Sequence, residues 1–187
     1  QARWLATLEV AQRSELVLLD RLLDVPSLEE VETGARQELG LAVLKKLAQS
    51  PPSDLRSQVA KKFGKAALVL DREGSLVPPA SLLDPRVPYI PVIAHPADLP
   101  ADEGTPGPAR REKKSFCSPG TLDVLVECGM RKVMSPERIL DVAKELDRSV
   151  GLAGGEVDET IVSRARGWLS HVLENLKDFD DDGFWER

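Results

Sequence analysis

The stretch Leu68-Val69-Leu70-Asp71-Arg72-Glu73-Gly74-Ser75-Leu76-Val77-Pro78 interrupts an otherwise helical chain and decides how the fold is read. Two short apolar runs, Ala66–Leu70 and Ser75–Pro78, flank an acidic turn in which Gly74 is free to take positive φ. That pattern predicts a β-hairpin. A lone hairpin is marginal in water, so it must pack on helices or join further strands. The next residues, Pro79-Ala80-Ser81-Leu82-Leu83-Asp84-Pro85, read as one helical turn closed by proline.

Upstream the signals are helical. From Arg3 to Asp24 the residues Leu5, Leu8, Leu16, Leu19 and Leu23 recur mostly on one helical face, and Pro26 ends the run. Ser27 offers an N-cap to a second helix reaching about Gln49, with Gly34 and Gly40 as candidate breaks and Pro51-Pro52 beyond its end. Ser53 caps a third helix, Asp54 to Phe63, closed by Gly64.

Downstream, residues 96–115 are rich in proline, glycine and charge, which predicts a mobile linker. Three helices follow. Ser118-Pro119 opens the first and Gly129 closes it; Ser135-Pro136-Glu137 opens the second. The last is expected from about Val157 to Phe179, with Ile161, Ala165, Trp168, Leu169, Val172 and Leu176 on one face. The chain thus divides into a helical region (1–64), a hairpin-and-turn element (65–95), a flexible linker (96–115) and a three-helix region (116–187). The fold class expected is mostly α with a small β-hairpin.

With 42% hydrophobic and 30% charged residues, the 187-residue chain has an ordinary globular balance. Aromatic residues are only 4%, so Leu, Val and Ala must fill the core. A net charge of −6 argues against nucleic acid or an anionic membrane as partner. No apolar run reaches the roughly 18 residues of a membrane span. The chain opens on Gln1 directly into a helical pattern with no signal-peptide pattern visible, as expected of a chain cut from something longer or processed. Cys117 and Cys128 are too few for a disulfide framework, so a reducing, cytoplasmic setting is expected.

Four features invite a chemical reading. Asp178-Phe179-Asp180-Asp181-Asp182-Gly183 matches the first half of an EF-hand calcium loop, but the chain ends before the acidic residue required at position twelve. An acidic helix end leading into a new N-cap accounts for it more simply. Arg110-Arg111-Glu112-Lys113-Lys114 is basic, but short and interrupted, as in a solvated linker. Cys117 precedes a helix N-terminus, where a thiol pKa falls, yet its only candidate bases are His95 and His171, both distant in sequence. Cys117 and Cys128 therefore read as small structural cysteines. Gly151-Leu152-Ala153-Gly154-Gly155 lacks phosphate-loop spacing and reads as a helix connection. No catalytic, cofactor-binding or metal-binding residue is expected.

Three stretches together resemble the sacsin repeat family. Leu68 to Pro85 is similar to its short strand, Asp/Gly turn and "psxLyDP" pattern, with Leu83 where an aromatic residue often stands. Leu122 to Arg131 and Met134 to Ala143 resemble the following "LxxLGxk…lspedllxxA" segment, and Phe184-Trp185-Glu186-Arg187 the start of "fwexLxxixwvP". Order and spacing match over roughly residues 60 to 187. The resemblance implies a very large co-chaperone-like protein whose repeats begin with an ATPase-like domain related to the Hsp90 N-terminal fold. None of that domain's nucleotide motifs occurs here, and the chain's one asparagine is Asn175. The implied role is a non-catalytic segment that packs against neighbouring repeat segments or client polypeptide, exposing apolar positions such as Trp4 and Trp185. The alternative is a free-standing calcium- or peptide-responsive module using residues 178–183, and the third reading is a hydrolase built on Cys117.

Overall fold

The computed structural model describes residues 14–24, 30–102, 115–152, 158–175 and 177. They form a mostly α fold with one two-stranded antiparallel hairpin. Helix α1 covers residues 14–22 and α2 Thr33–Gln49. After α2 come α3 (Asp54–Phe63), strands β1 (Val69–Leu70) and β2 (Leu76–Val77), and the single turn α4 (Ile90–Ile93). Helices α5 (Pro119–Glu127), α6 (Pro136–Leu152) and α7 (Glu159–Glu174) complete the order.

Local chemistry sets most boundaries. The Ser53 hydroxyl accepts from the Arg56 backbone N–H at 3.2 Å and starts α3. Pro119 follows the extended Ser118 at the start of α5, and Gly129 behind that helix takes φ 108°. The Ser135 hydroxyl accepts from the Arg138 N–H at 3.3 Å at the start of α6. By contrast, α2 runs unbroken through Gly34 and Gly40. Gly40 is there for space: a Cβ on it would lie 2.1 Å from the Leu68 carbonyl oxygen. The expected N-cap Ser27 lies outside the described residues, as does 3–13 of the first helix.

The hairpin pairs Val69 with Val77 and Leu70 with Leu76. Its turn is held by the buried Asp71 carboxylate, which accepts from the N–H groups of Glu73 (2.9 Å) and Ser75 (2.8 Å), while Gly74 takes φ 88°. The free edge of β1 is not left to water. Arg72 donates to the Leu99 carbonyl, Ala101 donates to Leu70, and Phe116 donates to Ala101.

This pairing corrects the expected linker. Residues 96–102, assigned to it from composition, belong to the fold, with Leu99 and Ala101 at most 2% exposed. Pro96–Asp98 is a short 3-10 turn whose Asp98 carboxylate accepts from the His95 N–H at 3.1 Å. Polar composition there reflects capping rather than mobility. Residues 103–114 lie outside the described residues.

Two apolar cores result. The first gathers Leu16 of α1, Val43, Leu44 and Leu47 of α2, and Val59 and Phe63 of α3. Leu68, Leu82, Phe116, Leu122 and Leu125 are among the others in it. The second joins Leu83, Ile90, Ile93, Leu99 and Met134 to Ile139, Val142 and Leu146 of α6 and Val172 of α7. The three helices expected in 116–187 divide between the cores: α5 packs on α2, whereas α6 and α7 pack on each other and α7 on α4.

On α7 the expected apolar face is also divided. Trp168 and Val172 turn inward, and the Trp168 indole N–H donates to the Ile139 carbonyl at 2.8 Å. Leu169 is 51% exposed, because no described element covers that flank of the helix.

Candidate functional site

Residues 82–84 run extended between the two cores. Arg131 donates its backbone N–H to Leu82, and Asp84 donates to Arg131, so the segment pairs with the chain leaving α5. The Asp84 side chain is 2% exposed. Its carboxylate accepts from the Arg86 backbone N–H at 3.0 Å and from the Arg86 guanidinium at both oxygens (3.0 and 2.8 Å). Arg86 reaches Asp123 as well, at 2.6 Å. Burial works to raise the Asp84 pKa, but the Arg86 hydrogen bonds and charge outweigh it and hold the carboxyl below its ordinary value. A carboxylate held ionised and fully bonded is a structural clamp, not a general acid.

A second clamp holds the other core. Arg138 donates to Asp98 at 3.0 and 2.7 Å and to Glu145 at 3.0 Å. Arg164 approaches Glu145 at 3.8 Å and donates to the Ile93 carbonyl at 3.1 Å. These contacts tie the 96–98 turn, α4, α6 and α7 together.

The cysteines are set against nucleophilic work. The Cys117 thiol donates to the Pro100 carbonyl at 3.2 Å, and burial raises its pKa despite the nearby Arg72. Burial pushes the Cys128 thiol up to about 12. His95 accepts from the Ala97 N–H at 3.2 Å and faces Glu73, while His171 lies on Tyr89 in the second core. The structure spends both histidines on partners other than a thiolate.

Beside that ring pair lies an open cleft of about 580 Å³. Tyr89 and His171 stack with centroids 3.8 Å apart and planes 20° from parallel, forming one wall. Val87, Val133, Met134 and Pro136 supply apolar surface, and Lys132, Glu174 and Asn175 the polar rim. Burial raises the Tyr89 pKa, opposed in part by the Met134 backbone N–H that donates to the phenol oxygen. The Asn175 amide donates to the His171 carbonyl at 2.8 Å and sits 3.2 Å from its Nδ1. Tyr89, His171 and Asn175 thus hold one another in place. No sequence pattern announces this cleft, since it is assembled from 87–89, 132–136 and 171–175.

Among the described residues no cluster of His, Cys, Asp or Glu is placed to hold a metal ion, and no helix is long and apolar enough to cross a membrane. The acidic run Asp178–Gly183, the basic run Arg110–Lys114, Gly154-Gly155, Trp4 and Trp185 lie outside the described residues. No family model matches the chain, and no curated protein or solved structure is significantly similar to it.

Proposed function

We propose that this chain is a non-catalytic structural and protein-interaction segment of a large sacsin-like, co-chaperone-type protein, acting by packing against neighbouring segments or client polypeptide. The observation that carries the reading is exposed leucine pairs at i, i+4 spacing on the outer faces of two helices. Leu18 and Leu22 of α1 are 59% and 36% exposed, and Leu169 and Leu173 of α7 are 51% and 57% exposed. Such pairs stabilise little while in water and gain when another surface covers them.

The residues that carry the family resemblance support the same reading, because each serves packing. Asp71 and Gly74 build the turn, Leu82 and Leu83 fill the cores, and Asp84 clamps the crossing.

The test is cross-linking mass spectrometry on the intact longer polypeptide carrying a photo-reactive residue at Leu169 or Leu18. The reading expects cross-links to defined flanking segments, lost in the Leu173→Asp or Leu22→Asp background while the chain's melting is unchanged. Surfaces that stay uncross-linked, or a substrate turned over by the isolated chain, would overturn it.

A further inference from the structure

We infer that the cleft beside Tyr89 and His171 receives a bulky apolar side chain from an extended polypeptide segment that carries acidic and basic residues on either side of it. This deepens the polypeptide-contact reading and rests on it. At about 580 Å³ the cleft falls within the size range of ligand sites, and it holds one large side chain with adjoining backbone. Its interior presents Val87, Met134 and the ring pair, whose polar atoms are already engaged: the Tyr89 oxygen with the Met134 N–H, the Asn175 amide with His171. With that interior largely apolar and these donors engaged, the part that enters is apolar.

The rim argues for a chain rather than a small charged molecule. Val133 is 67% exposed and extends the apolar surface outward from the cleft. Lys132 and Glu174 border the same cleft with opposite charges, and both are exposed, with Lys132 also close enough to Asp84 to help lower its pKa. A ligand of one sign meets one attraction and one repulsion there. A polypeptide of mixed charge satisfies both.

The probe is a fluorescein-labelled nine-residue peptide with central Phe, Glu two places before it and Lys two places after, together with its charge-reversed order. Controls carry central Ala, or Glu on both sides. Binding is read by anisotropy and by amide shifts in the full chain. The expected result is binding of one Phe peptide with mixed flanks, shifts at Val133, Met134 and Asn175, and loss of about tenfold in affinity in Val133→Asp. Lys132→Glu and Glu174→Lys each weaken binding a few-fold at low salt and less at high salt. All three positions are at the surface, and unchanged melting confirms that the variants fold.

Equal binding of the Ala peptide overturns the proposal, as does benzoate alone occupying the cleft as tightly as the peptide. Shifts confined to Leu169 and Leu173 overturn the cleft but leave the polypeptide-contact reading standing. Absence of peptide binding alongside positive cross-links from Leu169 does the same.

Discussion

Leu82 and Leu83 are adjacent in sequence, fully buried, and members of different cores. The extended backbone between them sends successive side chains to opposite sides, so one peptide unit joins the two halves of the fold.

Truncating either leucine to alanine is expected to cost about 2–5 kcal/mol, the range for a buried leucine. The two losses differ in location. In Leu82→Ala, hydrogen exchange accelerates first in α2, α3 and α5; in Leu83→Ala it accelerates first in α6 and α7. Identical exchange patterns would mean that the cores open only together.

Gly40 and Gly34 offer an opposed pair on one helix. Nothing lies within 4 Å of a Cβ at Gly34, so Gly34→Ala should stabilise by roughly 0.5–1 kcal/mol through helix propensity. At Gly40 the new Cβ meets the Leu68 carbonyl at 2.1 Å, and α2 must move off the residue that leads into β1. Gly40→Ala is expected to destabilise by about 3 kcal/mol. Urea midpoints for the two variants should move in opposite directions.

The Asp84 clamp has a pH signature. Its folded pKa lies below the ordinary 3.8, so its stabilisation is complete above that value and drains away as the pH falls through the lower folded pKa. Asp84→Asn should cost about 2 kcal/mol at neutral pH, the scale of a charge-assisted hydrogen bond. Its stability curve should also be flatter than the parent's below about pH 4. An unchanged acid limb would show that Asp84 is not the group responsible.

Thiol chemistry gives a direct check on catalysis. With its pKa at about 12, Cys128 should react with iodoacetamide at pH 8 about a thousandfold more slowly than a free thiol. Cys117, hydrogen-bonded to Pro100 and raised by burial, should react slowly too, its rate climbing with pH above 8 and showing no step near pH 6–7. A fast, His171-dependent reaction at Cys117 would restore the hydrolase reading.

The Arg138 clamp should behave as a coupled unit. Asp98→Asn and Glu145→Gln each weaken a charge-assisted contact to the same guanidinium, at about 1–2 kcal/mol apiece. Their double variant is expected to lose less than the sum, a non-additivity that a double-mutant cycle in urea reads directly.

The sequence by itself determined the features whose physics is local. Ser53 capping α3, the proline starts of α5 and α6, the positive φ of Gly74 and Gly129 and the hairpin that turns at Gly74 all depend on hydrogen bonds spanning a few residues. The mostly α class followed from those signals and from apolar periodicity. Tertiary structure alone decided the rest. It placed α5 with α2 and α6 with α7, packed 96–102 against the hairpin, and left Leu169 in water while burying His171 on Tyr89. Each of these depends on surfaces brought together from distant parts of the chain, and helical periodicity marks only that a face is apolar, not which face finds a partner. The cleft belongs to the same class, since its walls come from 87–89, 132–136 and 171–175, stretches far apart in the chain.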